Sequence, residues 1–317
     1  MSERDLDKSL ARGFGWAIGL TSLTLAAEVV GGFWTNSLAL LSDAAHVFSD
    51  LFALVLSLAA IRLAGMPATD RRTYGWHRAE ILASLVNGLT LLLISGGILW
   101  EAWKRLIEPQ EVRTLEMFVI AGIGLVMNLI VASRLHGHSR DDLNVRSAFL
   151  HVLGDALASV GVILGGLIMH FTRWYVVDAV ISALIVIIVV IGASRVLREA
   201  VHILLEGVPK HIDLQEVVAR MRQVVGVNDI HHLHVWSICS HITSLSAHVD
   251  VDPESRLRQG EIVGEIEQLL DHEYHITQTT LQVECSRCGS GPVLQQLQHR
   301  RRSSLCTHGR GGPDHTH

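Results

Sequence analysis

Two residue pairs at the same spacing carry the chemistry of this chain: His46-x-x-x-Asp50 and His151-x-x-x-Asp155. On a helix, residues four apart share one face, with Cβ atoms roughly 5 to 6 Å apart. Each pair therefore presents one imidazole and one carboxylate together. Two such helices side by side supply two nitrogen and two oxygen ligands, a set that suits tetrahedral Zn²⁺. Both pairs lie in apolar runs, where a carboxylate is costly unless it is paired or neutralised. No Lys or Arg falls in the middle of these runs, so the compensating charge must be a proton or an incoming cation. The flanking residues are alike too: Leu-Ser-Asp-Ala-Ala-His46-x-x-x-Asp50 and Phe-Leu-His151-x-x-x-Asp155-Ala. Two other readings compete, a hydrogen-bonded pair with protonated acids and a structural metal that never leaves.

The elements that must hold these pairs follow from composition. The chain has 317 residues, of which 49% are hydrophobic and only 18% charged, with a mean hydropathy of +0.34. Soluble domains carry about 25% charged residues. This balance excludes a disordered chain, four cysteines exclude a disulfide-stapled scaffold, and a net charge of −5 argues against nucleic acid as a partner. Crossing roughly 30 Å of hydrocarbon takes about 20 apolar residues. Six runs qualify: Phe14 to Trp34, Leu38 to Leu63, Ala79 to Trp100, Leu115 to Ser133, Ser147 to Phe171 and Trp174 to Ser194. They lack the alternation of barrel strands. The segments on one side of these runs hold thirteen basic residues and those on the other hold four, which places both termini in the cytoplasm. Further acids in or near the runs are Glu28, Asp43 and Asp178. Asp43 lies one turn before His46 and is a candidate proton acceptor or exit-path residue.

Past residue 205 the composition turns polar. Asp213 to Val225 reads as an amphipathic helix, Val227 to Ile238 and Ile242 to Val251 as alternating strands, Leu257 to Asp271 as a helix and Ile276 to Glu284 as a strand. This αββαβ order predicts a small α+β sheet domain. In the first strand, strict alternation puts His232 and His234 on one face and His231 on the other. Cys285-x-x-Cys288 follows the last strand. The predicted organisation is a transmembrane domain over 1–205, an α+β metal-binding and dimerisation domain over 206–285, and a disordered tail over 286–317.

Four stretches resemble the cation diffusion facilitators in their zinc-transporter branch: Asn36-Ser-Leu-Ala-Leu-Leu-Ser-Asp-Ala-Ala-His46-x-x-x-Asp50, Tyr74-Gly-Trp-His-Arg-Ala-Glu80, Asn144-Val-Arg-Ser-Ala-Phe-Leu-His151-x-x-x-Asp155 and Ile230-His-His-Leu-His-Val-Trp236. The resemblance covers most of residues 10 to 285. It implies an α-helical membrane protein, a six-transmembrane-helix bundle with a C-terminal cytoplasmic ferredoxin-like domain, working as a homodimeric zinc/proton antiporter. It carries the transport ligands onto His46, Asp50, His151 and Asp155. It carries cytoplasmic zinc ligands onto His231 and His248, with a third position near Gln282 and Glu284, and raises Cys285 and Cys288 as further ligands. Zn²⁺ is thus expected both as the transported substrate and as a structural or regulatory ion in the cytoplasmic domain. Asp178 fits a family position usually followed by proline, where this chain has Ala179. The expected partners are a second copy of the chain, the lipid bilayer, zinc and protons, with no nucleic acid. The alternatives are a membrane metal sensor without flux and a transporter mainly for Co²⁺, Ni²⁺ or Cd²⁺. An enzyme is not expected: there is no H-E-x-x-H motif, and four protein ligands leave no open position for a catalytic water.

Overall fold

The computed structural model describes residues 19, 21–136, 143–285 and 293–294. Helix α1 covers residues 21–35. It is followed by α2 (Leu38–Ala64), α3 (Ala79–Ile107), α4 (Thr114–His136), α5 (Leu143–Thr172) and α6 (Val176–Leu204). The helices α2 to α6 each contain a stretch long and apolar enough to cross a bilayer, five among the described residues. The run expected to start at Phe14 begins outside the described residues, and its described part is α1. Chain contacts divide the molecule into two units, Met1–Gly207 with Ile238–His241, and Val208–Ser237 with Ile242–His317.

In the first unit α3 packs along α6 and α4 along α5, while α2 lies against α3 and α6 and touches α5 only sparsely. Asn36, in the left-handed region at φ 55°, ends α1. The Ser37 N–H then donates back to Gly32 O at 3.0 Å, the pattern of a helix C-terminal reversal. Helix α2 therefore begins immediately, with its first N–H groups facing the bundle interior. Asp178 of α6 receives them. It accepts from Ser37 Oγ at 2.7 Å, Leu38 N at 2.6 Å and Ala39 N at 3.2 Å. A capping residue usually precedes its own helix; here the cap comes from a helix remote in sequence.

Arg105 completes this anchor. Its guanidinium lies 3.7 Å from the Asp178 carboxylate and donates to Asn36 O at 2.6 Å and Asn36 Oδ1 at 2.9 Å. Sequence reading ends the third span at Trp100 and puts Arg105 in a loop. Instead α3 continues to Ile107, and the residue turns inward because Asp178 and the α1–α2 reversal offer it acceptors. Asp178 thus has a fixed basic partner, unlike the acids of the His/Asp pairs.

The second unit contains α7 (Leu214–Met221), β1 (Val227–Cys239), β2 (Ile242–Val251), a 3₁₀ segment (Pro253–Arg258), α8 (Gln259–Tyr274) and β3 (Ile276–Cys285). The sheet order is β1-β2-β3, and β3 joins β2 in parallel, with His248 opposite Gln282 and Asp250 opposite Glu284. The expected αββαβ order is present. Asp213 caps α7 by accepting from Gln215 N at 2.8 Å. Ile262, Ile266, Leu270 and Tyr274 form an i, i+4 stripe on α8 that packs with Val217, Val218 and Met221 onto one sheet face, against Ile230, Leu233, Val235, Leu245, Ala247 and Val249.

Core positions on β1 run Ile230, Leu233, Val235, so the alternation slips by one residue between Ile230 and Leu233. The cause is His232, whose φ of 52° lies in the left-handed region and inserts a bulge. This corrects the expected faces: His231 and His232 both point away from the core helices. Of the segment after Cys285, residues 293–294 are described. Val293 packs against this core and its carbonyl accepts from Leu233 N at 2.9 Å, because edge strand β1 has unpaired N–H groups to offer.

Two outcomes follow from these geometries. Asp178→Ala strips acceptors from the start of α2 and leaves Arg105 buried without its carboxylate, so it should destabilise the protein by about 2 to 4 kcal/mol; an unchanged melting temperature in detergent contradicts the anchor. His232→Gly should raise the melting temperature of the metal-free protein by relieving about 1 kcal/mol of left-handed strain, whereas the β-branched His232→Val should lower it.

Candidate metal centres

The two His/Asp pairs meet. His46 and Asp50 project from α2, His151 and Asp155 from α5, and their four ligand atoms all lie within 4.8 Å of one another. The shortest contacts cross between helices: His46 Nε2 is 3.0 Å from Asp155 Oδ1, and His151 Nε2 is 3.0 Å from Asp50 Oδ2. The pairs along each helix are looser, 3.8 Å for His46–Asp50 and 3.9 Å for His151–Asp155. A tetrahedral zinc ion with bonds near 2.05 Å separates its ligand atoms by roughly 3.3 Å. The observed spacings bracket that edge, so the quartet fits such an ion with small adjustments. The imidazole rings meet at 71° with centroids 5.6 Å apart, which leaves both Nε2 atoms facing the same space.

The quartet lines a cavity of about 1000 Å³. Beyond the quartet, its walls come from the C-terminal half of α2 (Ala53, Ser57), the N-terminal half of α3 (Ser84, Asn87), α5 (Ala158, Gly161) and both halves of α6 (Ile181, Leu184, Ala193, Arg195). Asn87 donates weakly to Ser49 Oγ at 3.4 Å across this wall. Asp43 also lines the cavity, on the opposite side of the quartet from the Arg195 end, and is 4% exposed. Sequence reading grouped Glu28 with polar positions that satisfy interhelical hydrogen bonds. In the structure its Oε2 is buried without any hydrogen-bond partner.

The second cluster lies on the sheet face away from the core helices. His231, His232 and His248 each offer a nitrogen within 4.8 Å of the others, with ring centroids 4.7 to 5.3 Å apart. Glu284 joins them, at 2.7 Å from His248 Nδ1 and 3.3 Å from His231 Nε2. His231 is 3% exposed, yet its Nδ1 has no hydrogen-bond partner. A buried polar nitrogen without a partner is uncommon in folded proteins. Desolvation and the neighbouring His248 and His231 hold the His232 imidazole below its ordinary pKa, so it stays neutral and able to ligate. Burial pushes the Glu284 carboxyl up, but the His248 hydrogen bond and the charges of His248 and His231 outweigh it and hold the group below its usual range.

His231, His248 and Glu284, named as candidates from sequence, are brought together here. His232 was missed, because alternation assigned it to the opposite face with His234; the adjacent His-His doublet was the available signal. His275, next to β3, is the left-handed C-terminal cap of α8 at φ 54°. The side chain of Cys285, and Cys288 as a whole, lie outside the described residues, as does His138; Cys239 is a buried free thiol.

Comparison with known proteins agrees with this architecture. Residues 16–205 match the cation efflux transmembrane domain, and residues 209–286 match the cation efflux protein cytoplasmic domain. The metal cation efflux system protein CzcD of Cupriavidus metallidurans is 42% identical over 285 residues, covering 89% of both chains. The cadmium, cobalt and zinc/H(+)-K(+) antiporter of Bacillus subtilis is 42% identical over 260 residues, covering 81% of this chain and 83% of that one. The zinc transporter ZitB of Escherichia coli is 39% identical over 280 residues, covering 88% of both. Among solved structures, the metal-bound C-terminal domain of CzcD is 34% identical and covers 23% of this chain and 99% of its own, with a TM-score of 0.22. Apolar helices, paired transmembrane domain and cytoplasmic domain, and near-full-length relatives lead to one assignment: the chain is an integral membrane protein of the cation efflux family.

Proposed function

We propose that this protein exports zinc from the cytosol in exchange for protons, with His46, Asp50, His151 and Asp155 as the transport site. The observation that carries the reading is the quartet itself, four ligands at tetrahedral spacing from two helices that otherwise touch little. Such a site is an exchangeable one. Bound metal needs neutral imidazole and ionised carboxylate, so protons and metal compete for the same atoms. Of the common side chains, histidine is the one whose charge changes most readily within the physiological pH range.

The cavity supplies direction. One end of it reaches Arg195, on the face whose segments also carry Arg62, Arg71, Arg72, Arg78 and Arg198 and which the positive-inside rule assigns to the cytoplasm. A cavity that reaches this face gives cytosolic metal a route to the quartet. Rocking of the helix pairs would expose it to the opposite side, where protons displace the ion. The first helix completes six spans, with both termini in the cytoplasm. Imidazole selects Zn²⁺ over the harder Mg²⁺, Ca²⁺ and Mn²⁺, and the relatives named for cadmium and cobalt make those ions expected secondary substrates.

The C-terminal unit acts as a homodimerisation and zinc-sensing domain, in which His231, His232, His248 and Glu284 hold a regulatory ion. His231 and Glu284 match the ligand chemistry of zinc, and the idle His231 Nδ1 supports occupancy.

Two measurements test these assignments. In everted vesicles, Asp155→Ala or His151→Ala should cut pH-driven zinc uptake by at least tenfold, and zinc affinity of the wild-type transport site should fall as pH is lowered from 7.5 to 5.5, because protons occupy the ligand atoms; flux that survives the alanine variants sinks the site assignment. At the regulatory site, His232→Ala should weaken zinc binding by about ten- to a hundredfold while His234→Ala leaves it unchanged, as read by calorimetry on the full chain in detergent.

A further inference from the structure

Beyond the quartet, the described transmembrane residues hold a second group of buried oxygens that the transport site does not use. Glu28 on α1 is 3% exposed, Asp43 on α2 is 4% and Ser159 on α5 is 1%. Glu28 Oε2 is buried and without a hydrogen-bond partner, while the buried Ser159 hydroxyl lies within hydrogen-bonding reach of the Asp43 carboxylate. Gly124 on α4 stands between them. A methyl group there would lie 3.2 Å from Glu28 Oε1 and 3.9 Å from Ser159 Oγ, so the absent side chain leaves a small space flanked by both oxygens. The charged or titratable groups acting on Glu28 are Asp43 and His46 from α2 and Asp155 from α5. Those acting on Asp43 are His46 and Asp155, with the Ser159 hydroxyl alongside. None of these is a lysine or arginine.

Position gives this group a role. Asp43 lines the cavity on the side of the quartet away from Arg195, and Glu28 on α1 is close enough to Asp43 for their charges to interact. Further along the same direction the bundle is closed by Leu40, Val112, Met117 and Met169, which offer a cation nothing. An ion leaving the quartet away from the open mouth meets Asp43 first, then Glu28 and Ser159.

We propose that Glu28, Asp43 and Ser159, around the space left by Gly124, form a second, all-oxygen cation subsite that the departing divalent ion occupies on its way out. The proposal rests on the transport reading above and adds a stop to its path. Its chemistry suits release. Two carboxylates match the charge of a divalent cation, and oxygen donors without imidazole hold zinc or cadmium less firmly than the quartet does. Conduction through successive sites needs the later one to bind well enough to accept the ion and weakly enough to lose it.

The test uses the full chain in proteoliposomes and compares two fluxes. One is zinc uptake driven by a pH gradient; the other is zinc–cadmium exchange with equal pH on both sides, which moves cations along the whole path without net proton flow. Glu28→Gln, which removes the charge and keeps the shape, and Gly124→Ala, which fills the space, should each slow both fluxes at saturating metal by tenfold or more. The zinc dissociation constant of the transport site, measured in detergent, should stay within threefold of wild type, which also shows that the variants fold. Exchange at the wild-type rate with only gradient-driven uptake impaired would make Glu28 a proton carrier and overturn the subsite. Unchanged fluxes, or loss of zinc binding at the quartet, overturn it as well. A wild-type protein that fails to exchange cations would instead overturn the transport reading, so the two failures are distinct.

Discussion

Everything in the transmembrane unit depends on how carboxylates are neutralised where water is scarce. Asp50 and Asp155 each find an imidazole at 3.0 Å on the other helix, closer than the imidazole one turn away on their own. The helices α2 and α5 are therefore held together at this level by polar contacts in place of the broad apolar packing that joins α4 to α5 or α3 to α6. A joint made of exchangeable charge is a joint whose strength depends on what occupies it. A divalent cation draws all four ligands inward, while protons on the imidazoles and carboxylates leave mutual repulsion or weak neutral hydrogen bonds. Occupancy and helix packing are thus the same variable, which is the physical requirement for coupling binding to an access change.

The two ends of α2 are neutralised by opposite means. At its start, Asp178 is served by backbone N–H groups, a serine hydroxyl and the Arg105 guanidinium. None of these partners can leave. Midway along, Asp50 has only histidine and whatever cation arrives. Fixing one end of the helix while leaving the middle exchangeable lets the site change without unseating the helix. It also explains why basic residues are absent beside the quartet: a lysine or arginine there would satisfy the aspartates permanently and abolish the need for cargo.

The legibility of these features in the sequence differs for physical reasons. The His46–Asp50 and His151–Asp155 pairs were visible because a helix translates four-residue spacing directly into a shared face, and because apolar flanks make any acid conspicuous. The meeting of the two pairs was an inference from their number, since sequence carries no inter-helix distance. Arg105 was misplaced because hydropathy ends a span where polar residues begin, whereas α3 continues beyond Trp100 and folds its guanidinium inward. The β1 bulge was invisible for a different reason. Period-two reading assumes that every residue alternates, and a single left-handed residue such as His232 reverses all the faces after it. The core positions Ile230, Leu233 and Val235 record that slip, but only after the burial is known. Glu28 was conspicuous as an acid in an apolar run, but its unpartnered oxygen and the space at Gly124 were silent, because they come from helices far apart in the chain.

That reversal bears on the histidine content. A regular strand would place only one of His231 and His232 near His248, giving a two-imidazole cluster with Glu284. The bulge adds a third imidazole at the cost of backbone strain of about 1 kcal/mol. Strain at a residue whose side chain joins a ligand cluster has an obvious counterweight in metal binding, and none in packing, since His232 lies outside the core. Desolvation and the neighbouring imidazoles favour neutral His232, the state in which nitrogen donates to a cation. On the proposed reading, the C-terminal unit would keep its ligands ready, while the quartet in the membrane would be contested by protons. A site that is meant to report metal gains from the first arrangement, and a site that must give metal up requires the second.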